Sequence, residues 1–439
     1  MNAVTWQNWA GTVTSRPQRV CTPRDVGEVA ALVAAAHRDG RRVKAVGAGH
    51  SFSPIATADD TLVRLDHLTG VTQADVDTGL VTVLAGTPLH RLNVLLDEAG
   101  LAMSNLGDID RQTVAGALST GTHGTGARHP GLAAQVESLD LVCADGSVRT
   151  CSARHEPDLF AAARVGLGAL GIVTAVTLRC VPSFLLAADE RPRPLRQVLT
   201  DLDALVDGHD HFEFYWFPHT MRTLTKANDR VPAGSPARPL SRFRAWLDDE
   251  FLSNRVFEWT NRLTARVSRL TPAVNSLATW ALSARSYTDV SHRVFVSPRR
   301  VVFRESEWAV PRAAVPALLE DIRRWIERSR QHVSFPIEVR FAAADDSWLS
   351  TGYGRATGYV AVHQYHRLPY ARFFRAVEEI VAAYDGRPHW GKIHGLDAAR
   401  LAELYPRFDD FRHVRETVDP GGVFTNPYLD RVLGPREAS

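Results

Sequence analysis

Two glycine-rich segments in the first third of the chain constrain its fold more than any other feature. The first, Gly47-Ala48-Gly49-His50-Ser51, follows a strand pattern over residues 42–46. The second, residues 116–126, holds four glycines among small hydroxyl residues. Glycines let backbone N–H groups converge on a concave anion site, and they let a ligand approach the main chain closely. Two such segments in one region predict one extended ligand that carries a pyrophosphate.

Neither segment matches a common nucleotide motif. Phe52 stands where a dinucleotide fingerprint needs its third glycine, and no Lys-Ser/Thr pair of a phosphate loop follows. Residues 49–53 resemble the nucleophile elbow of a serine hydrolase but lack its final glycine, which lets the turn pack tightly. A serine hydrolase would need no coloured cofactor and would give a colourless protein. This alternative is disfavoured because the motif is incomplete.

Composition excludes several classes of protein. The 439 residues contain 51 basic and 49 acidic side chains, so the charge gives no reason to expect nucleic acid as a partner. The N-terminal residues 1–16 lack a signal-peptide pattern, and residues 160–178 predict a short buried helix followed by a core strand rather than a membrane span. The four cysteines form no CxxC pair, which predicts reduced thiols in a cytoplasmic protein without a zinc site.

The order of strand and helix patterns predicts an α+β fold. In residues 1–180, helices over 22–40 and 88–100 are interspersed with short strands, without the regular alternation of a doubly wound sheet. A second α+β region with strands at 337–341 and 359–364 follows. We therefore expect a ligand-binding domain at 1–180, a second domain at 181–385, and a C-terminal segment, 386–439, that returns to the first domain.

Residues 243–284 show a long helical pattern in which aromatic residues alternate with arginines. A basic amphipathic helix of this kind suits either a membrane surface or the packing of domains. Because amphipathic packing helices are common, the pattern favours domain packing over membrane contact.

Two short motifs late in the chain carry candidate catalytic groups. Strand alternation places Glu338 and Arg340 on one face of a strand, although a lone pair of this kind is often only a surface salt bridge. Residues 389–392, His-Trp-Gly-Lys, add two cation-capable side chains, His389 and Lys392. No carboxylate–histidine motif accompanies them, so no metal is expected.

Together and in this order, the four motifs resemble the aldonolactone oxidoreductases of the vanillyl-alcohol-oxidase flavoprotein superfamily. The matching residues are Gly-Ala-Gly-His-Ser at 47–51, Gly-Thr-His-Gly at 121–124, Glu338 with Arg340, and His-Trp-Gly-Lys at 389–392. The resemblance implies a two-subdomain FAD-binding domain of the PCMH type and an α+β cap domain over the flavin. It also implies FAD as cofactor.

The resemblance also implies roles for individual residues. In family members that carry it, the histidine matching His50 bonds covalently to the flavin 8α-methyl carbon, although some relatives bind FAD without this bond. Glu338 would orient the substrate hydroxyl or accept from it, while Arg340 and Lys392 would supply positive charge for hydride transfer to flavin N5. The residues expected to bind FAD are Gly47, Ala48, Gly49, His50, Ser51, Phe52, Asp108, Thr113, Gly116, Ser119, Gly121, Thr122, His123, Gly124, Ile172, Val173 and His389.

One position bears on the substrate. Alditol oxidases carry a serine against the polyol where this chain has Asp108. The resemblance thus favours oxidation of a sugar-derived lactone at its C2 hydroxyl, of the L-gulono-1,4-lactone or D-arabinono-1,4-lactone type, to an ascorbate-like product. Oxidation of an alditol such as xylitol or sorbitol is the alternative, and a non-catalytic flavin-binding protein is a third reading. Oxygen, a cytochrome or a quinone would reoxidise the flavin.

Overall fold

The computed structural model describes residues 5–435. Its first part contains short strands and helices in the mixed order predicted from the sequence. In chain order they are β1 (Trp6–Gln7), β2 (Thr14–Ser15), β3 (Arg19–Cys21), α1 (Val26–Arg38), β4 (Val43–Val46), β5 (Thr61–Arg64), β6 (Val71–Asp75), β7 (Leu80–Leu84), α2 (Leu89–Glu98), β8 (Leu101–Ala102), α3 (Val114–Ser119), β9 (Val136–Val142), β10 (Val148–Ser152), α4 (Pro157–Ala163), β11 (Ile172–Arg179) and β12 (Val181–Pro182).

The first part contains two main sheets. Strands β3, β5 and β4 form a parallel sheet in that order, and β10, β9, β11, β7 and β6 form an antiparallel one. Helix α1 begins later than the sequence predicted, because the side chain of Asp25, and not Thr22, accepts from the Glu28 N–H and caps it. The predicted passage from a short helix to a core strand over residues 160–178 corresponds to α4 and β11.

The second part is built on one large sheet. Its elements are β13 (Leu185–Pro194), α5 (Leu195–Thr200), α6 (Leu202–Gly208), β14 (His211–Trp216), β15 (Arg222–Arg230), α7 (Arg242–Ala245), α8 (Phe257–Arg266), α9 (Thr271–Trp280), β16 (Arg285–Val290), α10 (Ser291–Phe295), β17 (Phe303–Pro311), α11 (Val315–Ser329), β18 (Ile337–Ala342), β19 (Thr357–Tyr365), α12 (Ala371–Val381) and β20 (Arg387–Pro388). Eight strands pair in the order β16-β13-β15-β14-β18-β19-β17-β20.

The two faces of the eight-stranded sheet differ in chemistry. On β18, Ile337, Val339 and Phe341 enter a hydrophobic core with side chains of α5, α6, α11 and α12. The alternate residues Glu338 and Arg340 point to the other face, as strand geometry requires. The same alternation on β14, β17 and β19 makes that face polar and turns it towards the first part of the chain.

Residues 242–280 form what we call the outer helical segment. The sequence predicted one long helix here, but the segment is α7, a π-helical stretch (Trp246–Val256), α8, a short turn and α9. The chain turns after α8, where Val267 leaves helical geometry with φ −131° and ψ 77°. No helix among residues 5–435 is long and apolar enough to cross a membrane.

The last elements, α13 (Ala398–Leu404), α14 (Phe408–Val418) and α15 (Pro427–Leu433), pack against the first part of the chain. Their apolar side chains share a core with β7, β9 and β11. The Val423 carbonyl accepts from the Val43 N–H at 2.7 Å, so the C-terminal segment contacts β4 directly.

Candidate active site

A first cavity of about 1060 Å³ opens where β4 ends. Both predicted glycine-rich segments line it, together with Ile172 and Val173 of β11. The backbone N–H groups of Ala48, Gly49, His50 and Ser51 donate to no acceptor among residues 5–435. Because these four consecutive residues line the cavity, their free backbone donors suit a bound anion.

Two glycines in this wall are required, one for lack of space and one for its backbone conformation. A Cβ added to Gly47 would lie 2.4 Å from Thr113 Oγ1, and Gly49 has a φ of +71°, which favours glycine. The loop is therefore held close to α3, whose first turn Thr113 caps by accepting from the Gly116 N–H. The local sequence explains why the main chain, rather than side chains, forms this wall.

Lys44 connects three segments behind the same cavity. Its ammonium donates to the carbonyls of Gly168 at 2.8 Å and Phe424 at 3.1 Å, and it lies 3.5 Å from that of Leu167. Burial and the nearby Arg415 lower the pKa of Lys44 to about 7. The lysine thereby joins β4 to the loop before β11 and to the C-terminal segment.

A second cavity of about 590 Å³ continues from the first. The two cavities share His50, Ser51, Gln112 and Thr120, so they form one elongated site. The second cavity lies against the polar face of the large sheet, because Glu307 of β17 and Arg340 of β18 line it.

His50 lies at the junction of the two cavities. Its ring stacks on that of Trp9, with centroids 5.5 Å apart. Burial and the cations Lys392 and Arg111 lower the pKa of His50. The imidazole is therefore neutral near pH 7 and has a lone pair available as a nucleophile.

Glu338 and Arg340 form a buried ion pair at the edge of the second cavity. Arg340 also contacts Asp108 at 3.2 Å and Glu213 at 3.0 Å. Burial raises the pKa of Glu338, and the attraction of Arg340 does not fully offset this effect. Burial alone would lower the pKa of Arg340, but the three carboxylates together raise it well above its ordinary value. The pair is thus more than a surface salt bridge.

Further charges, which the sequence interpretation missed, surround this pair. Arg299 donates to Asp108 at 2.7 Å, and Lys226 lies 3.0 Å from Glu213. Although burial opposes its ionisation, the pKa of Asp108 is held well below the ordinary value by Arg299 and Arg340. The Tyr215 hydroxyl donates to Glu338 at 3.0 Å. Glu213 and Tyr215 come from β14, Lys226 from β15 and Arg299 from the loop before β17, so no local motif identifies them.

Lys392 is the cation in a second buried cluster of charged side chains. Its ammonium lies 2.5 Å from Glu305 and 4.0 Å from Glu307. Despite burial, Lys392 and His363 lower the pKa of Glu305 to about 2, and the two glutamates raise that of Lys392. The sequence interpretation missed both glutamates, although their i, i+2 spacing on a strand was a usable signal.

Two histidines complete the second cavity. His123 stacks on Tyr359 with centroids 3.4 Å apart, and its Nε2 lies 3.2 Å from Glu307. Burial lowers the pKa of His389 to about 4, and its Nδ1 accepts from the Gly391 N–H. His389 is therefore neutral at physiological pH.

His123, Glu307 and His389 also place potential metal-ligand atoms within 4.8 Å of one another. In this arrangement the Lys392 ammonium already compensates the Glu307 carboxylate, and both histidines make hydrogen bonds. The absence of a metal stays a prediction.

The structure brings most of the predicted residues together. The first cavity is lined by Gly47, Ala48, Gly49, His50, Ser51, Thr113, Gly116, Ser119, Ile172 and Val173. The second is lined by His50, Ser51, Phe52, Asp108, Thr122, His123, Arg340, His389 and Lys392.

Three predicted residues line neither cavity. Glu338 lies behind Arg340 and is nearly fully buried. Gly121 and Gly124 lie within the glycine-rich turn, where a Cβ on Gly124 would meet the Leu106 carbonyl at 2.3 Å. The structure therefore gives Gly124 a packing role next to the site.

The comparisons with known proteins agree with this geometry. The sequence model of an FAD binding domain matches residues 17–152, the region that carries both glycine-rich segments. The elongated cavity with its row of free backbone donors fits FAD, which has a pyrophosphate between adenosine and flavin parts. The chain is thus an FAD-dependent oxidoreductase.

The sequence model of D-arabinono-1,4-lactone oxidase matches residues 176–432, more than half of the chain. The chain belongs to the D-arabinono-1,4-lactone oxidase family. This result confirms the resemblance inferred from the four motifs.

Individual relatives extend over nearly the whole chain. It is 42% identical to an L-gulono-1,4-lactone dehydrogenase of Mycobacterium tuberculosis, over 98% of this chain and 99% of the relative. It is 34% identical to an L-gulonolactone oxidase of Scyliorhinus torazame, with 98% of each covered. An alditol oxidase of Streptomyces sp. is 33% identical, over 97% of this chain and 98% of the relative.

Among solved structures, the fold is similar to that of cholesterol oxidase from B. sterolicum. The TM-score is 0.84 over 98% of this chain and 96% of the other, at 18% identity. The likeness confirms the predicted α+β fold with a PCMH-type FAD-binding domain.

Proposed function

We propose that the protein uses FAD to oxidise the C2 hydroxyl of a sugar-derived 1,4-lactone of the L-gulono or D-arabinono type. The observation that carries this proposal is the buried set of charges at the second cavity, where Arg340 and Lys392 reach the lining and Glu338 lies beside Arg340. The names of the M. tuberculosis and S. torazame relatives support the lactone class. The product would be a 2-keto lactone that tautomerises to an ascorbate-like enediol.

Bound FAD supplies the acceptor for the hydride that leaves the carbinol carbon. Glu338 takes or shares the hydroxyl proton, and its raised pKa makes its carboxylate a stronger base than an exposed glutamate. Arg340 and Lys392 line the second cavity and would stabilise negative charge that develops on a substrate oxygen or on the reduced cofactor. His389, neutral because of its burial, lines the same cavity without adding charge.

We assign the binding of FAD to the residues that the sequence analysis predicted for it. The amides of residues 48–51 would hold the pyrophosphate, Ile172 and Val173 would contact the adenine side, and His123 and His389 would lie by the flavin ring. His50 would be the residue that holds the flavin covalently in a chain that carries this bond, a role that its neutral imidazole and its place between the two cavities support. Residues 1–180 form the FAD domain, 181–385 the cap and 386–439 the returning segment.

Alditol oxidation is the second candidate, favoured by the Streptomyces relative. Asp108 argues for the lactone, because its carboxylate is already engaged by Arg299 and Arg340 and therefore differs from a free serine hydroxyl. We place the protein in the cytoplasm, without nucleic acid as a partner, and leave oxygen, a cytochrome and a quinone as alternative electron acceptors.

Anaerobic reduction of the bound flavin tests the proposal. Purified protein is mixed separately with L-gulono-1,4-lactone, D-arabinono-1,4-lactone and xylitol, and the visible flavin absorbance is followed. Bleaching by a lactone and not by xylitol is the expected result. Bleaching by xylitol alone would assign the protein to alditol oxidation, and no bleaching by any of the three would overturn the proposal. Admitting air after bleaching separates an oxidase from a dehydrogenase.

A further inference from the structure

The outer helical segment, residues 242–280, has its polar and apolar faces inverted. All six of its buried residues are polar: Asn254, Asn261, Thr264, Thr271, Asn275 and Thr279. Its large apolar side chains point outward instead: Phe243, Trp246, Phe251, Leu252, Val256, Trp259, Leu263, Val267, Leu270, Leu277 and Trp280. Phe257 and Ala265 do pack into a hydrophobic cluster with the rest of the protein, as a packing helix would, but domain packing does not account for the apolar side chains that point outward.

The exposure of these apolar side chains is large. Trp259 is 75% exposed and Trp280 is 79% exposed, and Phe243 and Leu277 exceed 60%. Eleven such residues within one segment are more than the scattered apolar residues of an ordinary surface. Contiguous exposed apolar surface marks a site of interaction with a protein or a membrane.

The buried asparagines fix this orientation. The side-chain amide of Asn275 donates to the carbonyls of Pro218 and Val333 at 2.9 and 3.0 Å. Asn261 accepts from the Ser334 hydroxyl at 2.7 Å, and the amide of Asn254 donates to the Pro298 carbonyl at 3.0 Å. Rolling the helices to bury their aromatic residues would break these bonds and leave buried polar groups unpaired, which is costly.

The charges on the segment indicate which partner it meets. Arg242, Arg255, Arg266 and Arg269 are exposed and pair with no carboxylate among residues 5–435. The acidic side chains of the segment, by contrast, are half-buried and engaged by arginines: Asp248 by Arg244 and Arg285, Asp249 by Arg285, Glu250 by Arg300, and Glu258 by Arg262. The outward surface is therefore both aromatic and basic.

We propose that the outer helical segment docks the protein on the surface of an anionic phospholipid bilayer. Tryptophans with one polar edge suit the headgroup region, and arginines beside them attract anionic lipid. A second copy of this chain suits the surface less well, because a two-fold contact would bring arginines of one copy against those of the other. Because no helix among residues 5–435 could span a bilayer, the contact is peripheral.

The docking surface is connected to the active site through a short strap, residues 297–300. The Arg300 N–H donates to the Asn254 side chain at 2.8 Å, and the neighbouring Arg299 binds Asp108 in the second cavity. The Ser297 N–H donates to the Asp108 carbonyl at 3.0 Å. Two adjacent residues of the strap therefore connect the outer helical segment to Asp108, which lines the second cavity.

Vesicle flotation with the FAD-loaded protein tests the proposal. Vesicles of phosphatidylcholine alone are compared with vesicles that also contain phosphatidylglycerol, at low and high salt. We expect binding to the anionic vesicles that weakens with salt. Trp259→Ser with Trp280→Ser should weaken binding by about tenfold or more, since two large apolar side chains leave the contact.

Two matched variants separate the contributions. Arg266→Gln with Arg269→Gln should lower binding to anionic vesicles and remove much of the salt dependence. Val148→Ser with Met221→Ser, which replaces two apolar residues of about half exposure outside the segment, should bind like the wild type. Flavin absorbance and circular dichroism should be the same for all variants.

Absence of wild-type binding to either vesicle would overturn the proposal. Equal loss of binding in the control variant would also overturn it. If light scattering instead showed a wild-type dimer that Trp259→Ser with Trp280→Ser dissociates, and vesicles bound nothing, the surface would be an interface between copies of the chain.

Discussion

Glu338 lies where burial and ionisation oppose each other. Its carboxylate forms an ion pair with Arg340 and accepts a hydrogen bond from the Tyr215 hydroxyl, yet burial still raises its pKa. A carboxylate whose pKa is raised by burial is a stronger base than an exposed glutamate. The environment, rather than the residue type, therefore supports the proposed role.

We predict that Glu338→Gln lowers kcat by about 10²- to 10⁴-fold, the range for loss of a positioned acid or base. The flavin spectrum should not change, because Glu338 lines neither cavity. For the wild type, the rate should rise with pH through the raised pKa of Glu338, since the ionised form accepts the proton. Stopped-flow reduction across pH measures both effects. A variant that kept the wild-type rate and pH profile would exclude this role.

Lys392 allows a test that separates stability from chemistry. Lys392→Met leaves Glu305 and Glu307 buried without their cation, which should cost about 3–5 kcal/mol. Adding Glu305→Gln should recover much of that stability, because one of the two carboxylates is then neutral. Flavin reduction should stay slow in the double variant, since the positive charge is still absent. Denaturant unfolding and single-turnover reduction provide the two readouts; recovery of both together would assign Lys392 a structural role only.

At this scale the sequence reveals only those residues that lie in local motifs. Glu338 and Arg340 could be paired because they belong to one strand, two positions apart. Glu213, Lys226 and Arg299 could not be found: the pairing of β14 with β15 brings the first two together, and Arg299 reaches the site from a loop.

The hairpin of β6 and β7 shows how an element depends on one backbone position. β6 and β7 pair in antiparallel orientation, with Asp75 opposite Leu80 at the turn. Gly79 has a φ of +71°, and a Cβ there would lie 2.4 Å from the Cys180 carbonyl. The turn therefore packs closely against Cys180, the residue that follows β11.

Gly79→Ala should lower the free energy of unfolding by about 2–4 kcal/mol, because backbone strain and a steric clash add. Gly100→Ala is the matched control, since Gly100 has a φ of +73° but an added Cβ would meet nothing within 4 Å. The control should lose only about 1–2 kcal/mol. Denaturant unfolding measures both variants; equal losses would show that the Cys180 contact has no influence.

Elements whose hydrophobic pattern has a clear period were predictable from the sequence. Elements whose pattern suits more than one arrangement were not. The strands at 337–341 and 359–364 were located to within two residues, because their alternation is regular. The outer helical segment was predicted as one helix that packs domains, whereas it consists of several helices that expose most of their large apolar side chains. Period alone does not say whether the apolar stripe faces a core or the outside.

On the scale of the whole molecule, several histidines are held neutral by burial. Burial lowers the pKa of His129, His211, His219 and His389 to about 4, and that of His394 to about 3. In the unfolded chain the same side chains titrate near 6.5. Between these values the unfolded state binds more protons than the folded state.

The free energy of unfolding should therefore be highest above about pH 6.5 and fall as the pH decreases towards 4. Each histidine contributes at most about 1.4 kcal/mol per pH unit in that window. His394→Gln should make the decline shallower, because one titrating group is removed. Urea unfolding at a series of pH values tests this, and a stability that rose on acidification would contradict the assignment of neutral buried histidines.

The contact between β4 and the C-terminal segment has a consequence for how the protein is made. Lys44 and the Phe424 carbonyl are joined although they lie 380 positions apart, and Asn426 donates to the Ile55 carbonyl next to the same cavity. While the ribosome is still translating the cap, the wall behind the pyrophosphate site lacks these partners. FAD should consequently be captured only after release of the finished chain, and nascent chains stalled before residue 423 should not retain it.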